Sequence, residues 1–279
     1  MFFTAILRIT SNFSSFILSK IRIKMTIVRY IALFCALSTL VACSGLRKNS
    51  KKNIDPIVKI TTSMGDMYVE LSNKTPKHKA NFIKLVKEGF YDSLLFHRVI
   101  NSFMIQGGDP DSKNAKSSAG LGNGGPGYTI PAEFDSTLFH RKGALATARL
   151  GDGQNPKMES SGSQFYLAQG RVYTLAQLKQ IEASKQKYNA RSKTAAIPGF
   201  KFTQEQIDTY TTTGGIPSLD AGYTVFGQVI KGIDVIDEIA KVKVNRQNGN
   251  RPVADVMMSM ELLYLSTKEK EELLNKEEN

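Results

Sequence analysis

Alternation of apolar and polar positions makes most of the chain from residue 57 onward read as strand. Ile57 to Thr62 and Met67 to Leu71 alternate on either side of Met64-Gly65-Asp66, which predicts a hairpin. Thr75-Pro76 then opens a helix, with Thr75 as N-cap and Pro76 in the first turn. Phe82, Leu85 and Val86 form its apolar face, and Gly89 stops it. From Phe96 to Pro110 two short strands flank the turn residues Asn101-Ser102, and Gly107-Gly108 ends the second. The first of these keeps Arg98 among Phe96, Val99 and Ile100, and the second keeps Gln106 beside Met104 and Ile105. An arginine in an apolar strand must be paired or aimed into a wet cleft. Gly143 to Arg149 and Gly162 to Ala168 continue the strands, as do Tyr223 to Gly227 and, closing the chain, Val256 to Leu265. Gly232 to Ala240 reads as a second helix.

Other stretches break this pattern. Met25-Thr-Ile-Val-Arg-Tyr30 followed by apolar Ile31 to Leu40 reads as a secretory signal, too short for a membrane span. It ends in Leu40-Val41-Ala42-Cys43, which resembles the lipobox of bacterial lipoproteins. That resemblance implies removal of residues 1–42 and acylation of Cys43, and residues 1–24 look unnecessary ahead of it, with Met25 an alternative start. Residues 43–54 form a polar, basic linker, and the folded domain is expected over 55–266. Gly122 to Gly127 fits G-x-G-x-x-G, but Tyr128-Thr129-Ile130-Pro131 follows instead of a helix, so a surface loop is expected and not a dinucleotide site. Residues 171–217 read as an inserted pair of helices opened by capping boxes, Thr174 to Gln177 and Thr203 to Gln206. Leu175, Leu178 and Ile181 are expected to hold this insert loosely, so that it is dispensable for folding. Residues 267–279 are a charged tail, expected to fray.

Charge and cysteine use narrow the function. The 279 residues carry a net charge of +12, yet residues 1–42 hold five basic and no acidic residues, so the chain from Cys43 onward has a net of +7. That describes a moderately basic domain and not a nucleic-acid arm. The insert from Arg171 to Lys201 holds seven basic residues against one acidic, Glu182, and suits either a solvated surface or one for clients or an anionic partner. The two cysteines, Cys35 and Cys43, both fall in or beside the signal, which leaves the domain without disulfides or a cysteine metal site. His78, His97 and His140 show no ligand-like spacing.

Phe96-His-Arg-Val-Ile100 followed by Phe103-Met-Ile-Gln-Gly-Gly-Asp109 resembles the signature of the cyclophilins, the peptidyl-prolyl cis-trans isomerases. The hairpin, helix and arginine strand come in the family's order. The resemblance implies a mainly β fold, a closed eight-stranded antiparallel barrel capped by two α-helices, here with the helical insertion. It implies Arg98 as catalytic donor and a substrate groove of Phe103, Met104, Gln106, Ala148, Arg149, Gln164, Tyr166, Leu219 and Tyr223. It implies no metal and no cofactor, proline-containing polypeptides as clients, no nucleic acid, and a monomer. With the lipobox it implies a folding isomerase of the bacterial cell envelope, tethered to a membrane by its lipid and facing the periplasm. A peptide-binding scaffold or chaperone on the same fold is the alternative. Three features depart from the family pattern: the insertion 171–217, which is the largest, the long connection Leu150 to Ser161, and Ser218, where cyclosporin-sensitive members carry a tryptophan before Leu-Asp.

Overall fold

A computed structural model describes residues 54–191 and 199–276, with the side chains of 188–191 excepted. The signal region, Cys43 and the linker up to Asn53 lie outside the described residues. Nine strands make one antiparallel sheet: β1 (Ile57–Thr62), β2 (Gly65–Leu71), β3 (Leu94–Leu95), β4 (Arg98–Ile100), β5 (Met104–Gly107), β6 (Ala144–Thr147), β7 (Phe165–Ala168), β8 (Val225–Lys231) and β9 (Met257–Leu263). Their order is β3-β9-β1-β2-β8-β6-β7-β5-β4. The two outermost strands are separated in sequence only by Phe96-His97. The sheet therefore curls until both of its edge strands lie on one extended stretch. The expected eight strands appear as nine because this stretch changes partner in its middle. The Phe96 N–H bonds the Val256 carbonyl at 2.9 Å, and the Val99 N–H bonds the Asn250 carbonyl at 3.0 Å.

Period-two alternation sorts side chains between two faces. Ile105, Leu145, Phe165 and Leu167 point into the barrel, where they meet Phe82, Leu85 and Val86 of helix α1 (Pro76–Lys87). Their strand neighbours Met104, Ala144, Ala146, Tyr166 and Ala168 share the outer face and form a second apolar cluster. Thr75 sits at the N-cap of α1 but makes no side-chain cap bond. The Glu133 carboxylate accepts from the N–H groups of Lys77 and His78 instead, at 3.1 and 3.0 Å.

The insert is packed more firmly than its sequence suggests. Helix α2 (Leu175–Arg191) and helix α3 (Gln204–Thr212) begin at the expected capping boxes. Leu178 is buried, but Leu175 is exposed, because it faces away from the barrel. The insert's core consists instead of Phe200, Phe202 and Tyr210, which join Leu178 against Phe139 of the barrel. Three aromatic edge contacts, at centroid distances of 4.9 to 5.8 Å, tie this group together. Its neck closes where Arg171 and Gly215 exchange backbone bonds of 3.2 and 3.1 Å. Gly170 and Gly215 approach so closely there that a Cβ on Gly170 would collide with the Gly215 backbone.

Helix α4 (Asp234–Ala240) adds Val235, Ile236 and Ile239 to the main core. The tail is not frayed over its described length. Helix α5 (Thr267–Asn275) starts at a capping box of Ser266 and Glu269. Lys270 pairs with Glu70 at 2.7 Å, and Lys231 Nζ donates to the Leu273 carbonyl at 2.9 Å.

Candidate active site

A single row of residues crosses the outer face of the barrel. Arg98 on β4 is in register with Gln106 on β5, Gln106 with Tyr166 on β7, Tyr166 with Ala146 on β6, and Ala146 with Val225 on β8. The alternation that buries Ile105 and Leu167 therefore also aligns a cation, an amide and an aromatic ring. Arg98 Nη1 donates to Gln106 Oε1 at 3.1 Å, and Gln106 Nε2 donates to Gln164 Oε1 at 3.0 Å. Gln164 Nε2 in turn donates to the carbonyls of Gly122 and Gly124 at 3.0 and 2.7 Å. The glycine-rich loop is thus tied to the row by its backbone. Arg98 is half-buried, and burial pulls its pKa below the ordinary arginine value. It remains a cation, and among the described residues its other N–H groups have no acceptor.

Those free donors face a cleft of about 490 Å³. Its walls bring together Arg98, Phe103, Met104, Gln106, Ala148, Arg149, Tyr166, Leu219 and Tyr223, nine of the ten groove residues expected from the sequence. The tenth, Gln164, stands behind Gln106 and holds its amide in place. Arg149 is turned away from Arg98. Its guanidinium lies 4.6 Å from the centre of the Tyr223 ring, bonds Asp152 at 2.6 Å, and donates through Nε to the Gly222 carbonyl at 2.6 Å.

Several wall residues carried no signal in the sequence. His97 borders the cleft and is buried, and among the described residues neither ring nitrogen makes a hydrogen bond of good geometry, although the Leu95 backbone lies near. Burial lowers its pKa to about 4, so the imidazole is neutral near pH 7. Arg251 bonds the carbonyls of Lys116 and Ala115 at 2.7 and 3.2 Å, and Asn248 Nδ2 bonds the Ser117 carbonyl at 3.1 Å. Together they fasten the start of the glycine-rich loop.

Behind the apolar wall lies a buried polar chain. Tyr166 Oη is 2.8 Å from His140 Nε2, and His140 Nδ1 is 2.8 Å from Asp220 Oδ1. Asp220 Oδ1 also accepts the His140 backbone N–H at 2.9 Å, while Tyr210 of the insert donates to Oδ2 at 2.6 Å. Burial pushes the Tyr166 and Tyr210 phenols well above their ordinary pKa, so both stay protonated and donate. Tyr166, His140, Asp220 and Tyr210 thus form one continuous buried chain, with Tyr210 donating to Asp220 at its insert end. Of its members, Tyr166 was expected from the sequence as a groove residue, whereas His140 and Tyr210 were not.

The row and its cleft can do one thing without a nucleophile. A cationic donor and an amide are presented beside the apolar side chains Phe103, Met104, Tyr166 and Leu219. Comparison with known proteins agrees. The family model described as cyclophilin type peptidyl-prolyl cis-trans isomerase/CLD matches residues 57–261. A Staphylococcus aureus (strain USA300) protein, named as an inferred peptidyl-prolyl cis-trans isomerase, is 36% identical over 199 residues, covering 71% of this chain and 86% of that one. A Streptococcus pyogenes serotype M6 protein, named as an inferred bifunctional phosphatase/peptidyl-prolyl cis-trans isomerase, is 35% identical over 209 residues, 73% of this chain and 37% of its own. Among solved structures, a cyclophilin type isomerase of Cryptosporidium parvum superposes with a TM-score of 0.52 at 22% identity, over 76% of this chain and 99% of its own.

Proposed function

The chain belongs to the cyclophilin type peptidyl-prolyl cis-trans isomerases, and on that premise we propose that Arg98 is its catalytic donor, acting on X-Pro bonds of exported polypeptides. The observation that carries this reading is the Arg98–Gln106–Gln164 relay set against the Phe103, Met104 and Tyr166 wall. The amide barrier of about 18–20 kcal/mol is the loss of resonance between nitrogen and carbonyl. A planar prolyl nitrogen accepts hydrogen bonds poorly. At the halfway twist it becomes pyramidal with a localised lone pair, and a donor aimed there binds the transition state better than either ground state. Arg98 supplies this donor, because its guanidinium is charged and its orientation is fixed by Gln106. Phe103, Met104, Tyr166 and Leu219 grip the proline ring and exclude water, while Ala148 and Tyr223 form the rim. Gln106 holds the substrate backbone, with Gln164 keeping its amide oriented.

A charge-assisted hydrogen bond is worth roughly 1.5–3 kcal/mol, or about ten- to a hundredfold in rate. Arg98→Ala is therefore expected to lower turnover of a short X-Pro peptide by that factor, read by NMR exchange. Binding, read from chemical shifts on the same samples, should change little. Turnover at the wild-type rate would remove Arg98 as the donor and favour a peptide-binding scaffold on this fold.

The tether belongs to the same proposal. The apolar run Ile31 to Leu40 and the Leu40-Val41-Ala42-Cys43 motif support export, removal of residues 1–42, and acylation of Cys43. The basic linker then holds a monomeric domain in the cell envelope, on the periplasmic side of a bacterial membrane. Its lysines favour anionic head groups by roughly 1 kcal/mol each.

A further inference from the structure

A second cavity, of about 530 Å³, lies between the insert and the barrel. It shares Arg149, Leu219 and Tyr223 with the catalytic cleft, so the two are contiguous along one wall. We propose that this cavity is a subsite of the substrate groove that receives an acidic side chain of the client polypeptide, a few residues from the proline. The proposal rests on the isomerase reading above.

Three observations carry it. First, the cavity's cations outnumber its available anions. Arg171, Lys185 and Arg149 all line it. Asp152 is engaged by Arg149, and the Asp220 carboxylate is turned away, with its oxygens taken by His140 and Tyr210. Second, Arg171 is exposed and has no hydrogen-bond acceptor or carboxylate partner among the described residues. Its guanidinium is held over the Tyr173 ring at 4.9 Å, which leaves its N–H edge free to face a ligand. Lys185 is partly buried over the Phe200 ring at 5.0 Å and bonds the Asp220 carbonyl at 2.5 Å. Burial lowers its pKa from the ordinary value, as expected of an ammonium group set among apolar walls without a carboxylate in contact.

Third, residue 218 is a serine lining the cavity, so no bulky side chain at that position fills it, and the cavity meets the cleft along Arg149, Leu219 and Tyr223. An acidic residue suits these walls. Tyr173, Phe200 and Ile181 can cover its aliphatic stem while Arg171 pairs the carboxylate. An extended peptide rises about 3.3 Å per residue, so adjoining cavities are reached within roughly four residues of the proline.

The experiment uses the full-length protein in detergent and a series of otherwise neutral Ala-Pro peptides. Each carries Glu, Gln or Lys at one position within about four residues of the proline, on either side. Turnover is read by NMR exchange, and the quantity compared is the Glu-to-Lys ratio of kcat/KM at each position. This ratio cancels any general effect of a substitution on turnover. For at least one position the wild-type ratio is expected to be about three- to tenfold, expressed in KM rather than kcat, with Gln intermediate. Arg171→Gln should bring that ratio near one, and Arg171→Glu should invert it. A ratio near one at every position, or one that survives Arg171→Glu, overturns the subsite while leaving the isomerase reading intact. Failure to turn over the neutral parent peptide is a separate result, which removes the isomerase reading and this one with it.

Discussion

Tyr210→Phe isolates the contact by which the insert reaches the catalytic wall. The substitution keeps the ring, and with it the edge contacts to Phe139 and Phe202. It removes only the hydroxyl that donates to Asp220 Oδ2 at 2.6 Å, at a place where Tyr210 is 0% and Asp220 3% exposed. Water cannot readily replace the lost donor. A hydrogen bond to a charged acceptor contributes about 1.5–3 kcal/mol, and an oxygen left short of a donor in a buried site adds to the loss. We therefore expect a destabilisation of about 2–4 kcal/mol. The assay is urea unfolding at pH 7, read as a lower midpoint with an unchanged slope. The reasoning extends through Asp220 and His140 to Tyr166. Tyr166→Phe should consequently be non-additive with Tyr210→Phe, with a coupling of at least about 0.5 kcal/mol. A loss below about 0.5 kcal/mol, together with strict additivity, would refute the network as a mechanical unit.

Two further outcomes are expected. His97 has a folded pKa of about 4 against an ordinary value near 6.5. Above pH 6.5 it is neutral in both states and contributes no pH dependence, whereas between pH 6.5 and 4 only the unfolded chain takes up the proton. Stability should fall with pH across that window, by up to about 3 kcal/mol at pH 4. His78, also lowered by burial, acts in the same direction. His97→Asn should flatten part of this slope in denaturation measured against pH, and an NMR titration placing the His97 imidazole above pH 6 would contradict the account. Cys43→Ala should leave the signal segment attached, measured by intact mass, with fractionation read on the same samples. A processed, membrane-bound Cys43→Ala form would exclude the acyl tether.

The strand pattern was legible because the barrel has one dry face, and period-two alternation reports that face directly. Arg98 and Gln106 stood out for the same reason: a polar residue inside an apolar strand is a local anomaly, and here it marks the groove. The sequence was less informative wherever a role depends on distant residues. Thr75 has the chemistry of a cap, yet Glu133, 58 positions away in the chain, takes the helix N–H groups. The tail is rich in charge, which suggested fraying. Its helix is held by partners as remote as Glu70 and Lys231. His140 and Tyr210 lie on separate segments and converge only because Asp220 folds between them.

The insert shows most clearly how local reading fails. Counting apolar positions along α2 gave a weak stripe, and Leu175, counted among them, is exposed. The residues that pack, Phe200, Phe202 and Tyr210, lie in or beside the second helix, and they meet Phe139, which precedes β6. Removal of residues 172–216 would therefore uncover Phe139 and strip Asp220 of its tyrosine donor. Asp220 orients His140, which in turn holds the Tyr166 hydroxyl behind the groove. An insertion wired to the proline pocket in this way is expected to contribute to barrel stability, so deletion of residues 172–216 should lower the urea midpoint, where the insert's composition alone suggests no change. Its second face adds cations beside that pocket. The same segment therefore bonds Asp220 behind the Tyr166 wall and lines the cavity that adjoins the cleft.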